Sequence, residues 1–141
     1  MQGYFLDFNK DAVICREGEA STDLYFLKSG KLLVCTINGT QVKSIAHIGK
    51  GQFLGELSFF DGRPRQSSVV ALEDSRVIQI PRSQMSPLLP EWFMQIGLGL
   101  TKKIRLLDNV IHDSNIRRSQ HEGSKPLSIE EQRHLLEILI K

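Results

Sequence analysis

The stretch Gly51–Ala71 reads GQFLGELSFFDGRPRQSSVVA, and the reading of the whole chain turns on it. One carboxylate, Glu56, stands at what reads as the first turn of a short helix. Asp61-Gly62-Arg63-Pro64 then signals a turn. One guanidinium, Arg65, follows just ahead of the hydroxyl and β-branched run Ser67-Ser68-Val69-Val70. A helix start offers unpaired N–H groups and the positive end of the helix dipole, which suits an anion. Arginine presents a planar fork of donors that matches a phosphate. An ionised glutamate only accepts hydrogen bonds, so it suits sugar hydroxyls. Anion donors and a hydroxyl acceptor in one short loop point to a small sugar phosphate.

Outward from this loop, residues 4 to 80 read as strands. Val13-Ile14-Cys15 is the first clear one, and Leu24 to Leu27 is a short apolar run of the buried-strand kind. Ser29-Gly30 turns into Lys31 to Ile37, and Asn38-Gly39 signals a hairpin of type I′. Gln41 to Ile48 returns, with Val42, Ser44, Ala46 and Ile48 alternating against Lys43, Ile45 and His47. Ser67 to Leu72 and Arg76 to Ile80 are two more strands. Many short strands with closely spaced turns indicate a sandwich or barrel.

The character changes at Pro81. Ser83 reads as the cap of a short turn through Leu88, and Pro90 as the opening of a long helix. Phe93, Ile96, Leu100, Ile104, Leu107 and Ile111 recur in steps of three and four along one helical face. The start of that stripe, with Trp92, is expected to pack on the barrel; the later half suits either the barrel or a dimer seam. Lys102, Lys103, Arg105, Arg117 and Arg118 read as the solvated side of the helix, and Arg63 as exposed. Glu122 to Pro126 is a linker, and Ser128 to Glu131 fits a capping box opening a final apolar helix. That helix is read as packing back on the domain, mediating self-association, or entering a further module.

Bulk properties bound the function. A chain of 141 residues holds one domain with an appendage, taken here as residues 1–121 and 122–141. The formal charge of +2 does not argue for nucleic acid. No apolar run is long enough to span a membrane, and no signal peptide is visible at the start. Cys15 and Cys35 are isolated and read as buried free thiols, which places the chain in the cytoplasm. The histidines do not cluster at metal-ligand spacing, and no nucleophile–base pair is visible, so an enzyme is not expected.

Three blocks together resemble the cyclic-nucleotide-binding domain family, that of the catabolite activator proteins and the regulatory subunits of cAMP-dependent kinase. They are Val13 to Glu19 with Leu24 to Leu27 and Gly30; Ile48 to Leu57; and Pro64 to Ala71. The resemblance covers about residues 5 to 115. It implies a mainly β fold with C-terminal helices: a jelly-roll-like β-roll carrying a phosphate-binding cassette, followed by a long helix. It also implies roles. Glu56 would take the ribose 2′-OH and Arg65 the cyclic phosphate. The amides around Gly55, Leu57, Ser58 and Ser67 would complete the cradle, and Val34 and Ile45 would line the base pocket. Gln66 stands where the family usually has Ala, Ser or Thr, and Ser67 where it most often has Ala. Both leave the base preference open.

The resulting expectation is a non-catalytic sensor with no cofactor, whose ligand is cAMP, with cGMP as the alternative. Ligand binding would move the long helix, which also suits homodimerisation. Two other readings stand beside it: an interaction module that uses no nucleotide, and a truncated transcription regulator. The 15 residues after the linker are too few for a helix-turn-helix domain, so no direct DNA binding is expected.

Overall fold

The computed structural model describes residues 3–113 and 126–140. Eight strands form two four-stranded antiparallel sheets. They are β1 (Tyr4–Phe8), β2 (Val13–Cys15), β3 (Leu24–Ser29), β4 (Leu32–Asn38), β5 (Gln41–Ile48), β6 (Phe53–Leu54), β7 (Ser68–Ala71) and β8 (Ser75–Ile80). The first sheet has the order β1-β8-β3-β6 and the second β2-β7-β4-β5. Helix α1 (Glu56–Asp61) interrupts the strands between β6 and β7. After β8 come α2 (Arg82–Met85), a 3₁₀ turn (Ser86–Leu88), α3 (Glu91–Asp113) and α4 (Ile129–Ile140). The fold is the expected β-roll with C-terminal helices.

The inner faces of the two sheets share one core. Ile14, Cys15, Tyr25, Leu27, Leu32, Leu54, Val69, Ala71 and Val77 are buried together there. The outer face of the second sheet has a separate core, in which Leu33, Cys35, Val42 and Val70 meet Leu135 and Leu139 of α4. This explains why Leu32 to Cys35 and Ser68 to Ala71 read as unbroken apolar or small runs. A strand covered on both faces has no side to leave polar. Of the three roles open to the terminal helix, packing back on the domain is the one observed.

That helix opens as its sequence dictates. Glu131 N donates to Ser128 Oγ (3.1 Å), and Ser128 N donates to Glu131 Oε1 (3.3 Å), the reciprocal pair of a capping box. Gln132 then receives a hydrogen bond from Val42 N on the edge strand β5 (3.2 Å).

Local expectations needed correction at four places. The hairpin turn is centred on Gly39-Thr40, because Asn38 pairs with Gln41, and Gly39 alone has positive φ (65°). That is the pattern of a type II′ turn, not I′. The alternation in β5 breaks where Val34 pairs with Ala46 but Cys35 with Ser44, leaving Ile45 as the extra residue of a bulge. Val42 therefore packs under α4 while Ile48 packs on the inner core. Helix α2 starts at Arg82 without a cap from Ser83; its first N–H is taken by Asp23 Oδ1 at 3.1 Å.

The fourth correction concerns α3. Its apolar stripe does not pack on the barrel. Trp92 is 62% exposed, Phe93 41%, Ile96 56%, Leu100 53%, Ile104 44% and Leu107 60%. The residues it buries are Gly97, Thr101 and Arg105. Arg105 thus leaves the solvated set, whereas Lys102, Lys103 and Arg63 are exposed as expected. Arg117, Arg118 and the 122–125 part of the linker lie outside the described residues. Among the described residues no helix is long and apolar enough to cross a membrane.

Candidate functional site

The loop between β6 and β7 brings Glu56 and Arg65 to one end of the β-roll. Gly55 turns the chain into α1 with φ 86°, a left-handed value that side chains resist. A Cβ at Gly55 would lie 2.4 Å from Arg65 Nη1 and 2.9 Å from the Asp23 carbonyl. Glycine is therefore required there for both conformation and space. The first amides of α1 have no backbone acceptor within the helix, as at any helix start, and that of Glu56 faces its own carboxylate. Gly62 at φ 70° ends the helix, with its N–H on Ser58 O (2.9 Å).

Arg65 is held on both sides. Its N–H donates to Glu19 O (2.8 Å), and its carbonyl accepts from Gly18 N (2.7 Å). The side chain is only 5% exposed. Nη1 donates to Gly55 O (3.1 Å), while Nη2 donates to Ser21 Oγ (3.1 Å) and Asp23 O (2.5 Å). The guanidinium carbon lies 5.8 Å from the centre of the Tyr25 ring. Nε is buried and has no hydrogen-bond partner. An unmade hydrogen bond on a buried, charged donor is costly, and an anionic acceptor relieves it.

Glu56 and Arg65 do not pair with each other: neither is in any of the ion pairs formed among the described residues. Burial of its carboxyl raises the pKa of Glu56, against the opposing pull of its own N–H and of the Arg65 charge. The residue is nonetheless exposed at the surface. It is thus an acceptor with protein behind it and solvent before it. The two residues are charges of opposite sign, held apart on one loop and not consumed by each other.

The other expected site residues are placed as follows. Val34 faces the inner core beside β7, paired with Val69. Ile45 is half-buried at the bulge next to Val34's partner Ala46. Gln66 and Ser67 are half-buried between Arg65 and β7. Cys15 lies within 4.0 Å of Ser67 O, and burial pushes its thiol up to about 11, as it does that of Cys35. Both are free and buried thiols, hence poor nucleophiles.

Sequence reading missed the residues that set this loop in place. Asp23 drew no site role from the sequence, yet its carbonyl holds Arg65 and its carboxylate holds Gln79 Nε2 (2.7 Å) and Arg82 N (3.1 Å). Arg82 Nε in turn donates to Phe59 O of α1 (2.5 Å). Arg105 of α3 reaches Asp61 at the far end of α1. These partners are 23 to 59 residues apart, so no local pattern signals them.

A family model described as the cyclic nucleotide-binding domain matches residues 5–91. A cAMP-dependent protein kinase regulatory subunit of Colletotrichum orbiculare is 33% identical over 82 residues, which is 58% of this chain and 20% of that protein. The cyclic AMP receptor protein of Thermus thermophilus is 34% identical over 96 residues, 65% of this chain and 44% of that one. This chain spans less than half the length of either relative. Among solved structures, the Thermus thermophilus catabolite activator protein superposes with a TM-score of 0.65 at 24% identity, covering 81% of this chain and 55% of that chain. The cAMP-bound form of the EAL enzyme Bd1971 gives 0.65 at 25% identity, covering 80% and 32%.

Proposed function

The chain belongs to the cyclic nucleotide-binding domain family, and on that premise we propose that it is a non-catalytic cAMP sensor signalling through α3. The observation that carries the reading is the buried Arg65 Nε, a charged donor without an acceptor, on the same loop as the start of α1 and the unpaired Glu56. A cyclic phosphate bears one negative charge, so one guanidinium and a few amides suffice to neutralise it. Glu56 then accepts from the ribose 2′-OH, and Val34 and Ile45 flank the base. The names of two relatives support cAMP, whereas the EAL enzyme Bd1971 has both a cAMP-bound and a cGMP-bound form and favours neither. This reading places the chain in the cytoplasm.

A second element of the reading is self-association through α3. Phe93, Ile96, Leu100, Ile104 and Leu107 are spaced 3, 4, 4 and 3 residues apart, the start of an eleven-residue repeat. Such a repeat runs nearly parallel to the helix axis, so two copies can pair along it with little supercoiling.

Titration calorimetry with cAMP and 2′-deoxy-cAMP tests the site. A hydrogen bond to a charged group is worth about 1.5–3 kcal/mol, so the deoxy analogue should bind the parent roughly 10- to 150-fold more weakly. Against Glu56→Ala the two nucleotides should bind alike. Arg65→Ala should lose most of its affinity for both, and Arg65→Lys should recover little of it because the planar fork is gone. Binding of cAMP by Arg65→Ala at the parent's affinity would sink the assignment.

A further inference from the structure

Helix α1 is gripped at both ends. Glu56, which the proposed function assigns to the sugar, opens it, and Asp61 closes it. Six residues of helix form a rod about 8 Å long between them, too short to bend internally. At the closing end, Arg105 Nε donates to Asp61 Oδ2 (2.5 Å) and Nη2 to Asp61 Oδ1 (3.1 Å). The side chains are 10% and 7% exposed. Asp61 Oδ1 also accepts from Arg63 N (3.0 Å). Beside this pair, the Phe60 ring occupies the notch left by Gly97, where a Cβ would lie 2.1 Å from a ring carbon. Thr101 Oγ1 folds back onto Gly97 O (2.8 Å) and so offers α1 no competing donor.

This contact is unusual in kind. A helix normally docks through apolar area, yet here the buried residues of the docked face are glycine, threonine and arginine, with the Phe93 ring tilted against Phe60 at its edge. A buried two-point ion pair does not stretch gradually. It is made in one geometry or broken, because a half-separated pair leaves charge in a low-dielectric surrounding. From the other side, Arg82 holds Phe59 O and is itself tied to Asp23, whose carbonyl holds Arg65. Both proposed ligand contacts are thus one rigid element away from α3.

We propose that Arg105 is a positioning residue that makes ligand occupancy at Glu56 and Arg65 and the docking of α3 bias each other through Asp61. The inference rests on the sensor reading above. Any tilt of α1 as Glu56 engages a ligand carries Asp61 with it, and the pair either holds α3 in its present place or lets it go. By reciprocity, a partner that fixes α3 in one position changes nucleotide affinity by the same factor.

The test compares the parent with the double substitution Asp61→Asn/Arg105→Gln. That variant removes both charges together, so it leaves neither one buried and unpaired. Hydrogen exchange of α3 is followed with and without cAMP, alongside calorimetry. In the parent, cAMP should change exchange along α3. In the double variant cAMP should still bind, within the roughly 5- to 150-fold range of a coupling energy, but the α3 response should vanish. An undiminished α3 response in the double variant overturns the proposal and leaves the sensor reading standing. Failure of the parent to bind cAMP or cGMP overturns both. If the double variant does not fold, Arg105→Lys decides: it keeps the charge and loses the fork, so a full α3 response in it overturns the proposal.

Discussion

The two sides of α3 reverse the usual arrangement of a surface helix. The side toward α1 buries Gly97, Thr101 and Arg105, while Ile96, Leu100, Ile104 and Leu107 face outward. The buried side attaches by shape and charge at a few points, the notch for Phe60 and the pair with Asp61. The outward side offers continuous apolar area that is more than half exposed at Ile96, Leu100 and Leu107, and only Phe93 at its start leans on the Phe60 ring of α1, 6.0 Å away. Helix α4 makes the contrast plain, since it docks the ordinary way, through Leu135 and Leu139. An attachment made of a few specific contacts can be released by a small change in geometry. One made of apolar area cannot. The difference suits α3 to move and α4 to stay.

Three measurements bear on this contrast. The largest effect is expected from Gly97→Ala, which drives a methyl group into the Phe60 ring. Overpacking of this kind costs about 1–3 kcal/mol, and the better helix propensity of alanine offsets up to about 1 kcal/mol of it. Denaturant unfolding should therefore show net destabilisation; a stabilised protein would mean that Phe60 yields and the notch does not fix α3. An intermediate effect is expected from pH. Burial of Asp61 pushes its pKa up, but hydrogen bonds from Arg105 and the Arg63 N–H, with both nearby charges, outweigh that and leave it below 3.8. A carboxyl lowered on folding stabilises above its unfolded value and loses that contribution as the pH falls through the folded value. The parent should thus lose stability below about pH 3.8 more steeply than Asp61→Asn; superimposable acid limbs would show that the pair contributes nothing. The smallest effect on stability is expected on the outward side. Leu100→Glu should change unfolding by less than about 0.5 kcal/mol, as a surface substitution does. It should nonetheless abolish self-association in light scattering. A large loss of monomer stability would mean that the stripe is covered from within the chain.

Sequence reading went furthest where a feature is built from near neighbours. Glu56 and Arg65 belong to one loop, and Ser128 and Glu131 to one turn, so residue types and spacing are sufficient to find them. The apolar run Leu24 to Leu27 likewise read as a buried strand and lies in β3. It went less far at the hairpin, where Asn38-Gly39 and Gly39-Thr40 satisfy local turn chemistry almost equally. Strand pairing on either side, not the dipeptide, set the register. It failed on Arg105, which carries the same charge and neighbours as exposed Lys102 and Lys103 and differs only in facing Asp61.

The sequence by itself determined most of the strands and helices, though not β1 or β6, together with the loop that holds Glu56 and Arg65 and the existence of an apolar stripe on α3. These follow from contacts spanning a few residues, or from periodicity along one element. Only the tertiary structure decided which side of α3 meets the domain, what covers the second sheet, and that Asp23 and Asp61 tie the loop to its surroundings. Hydrophobic periodicity says that a face must be covered but is silent about what covers it. The choice of partner belongs to residues 23 to 59 positions away and to the shape they make together.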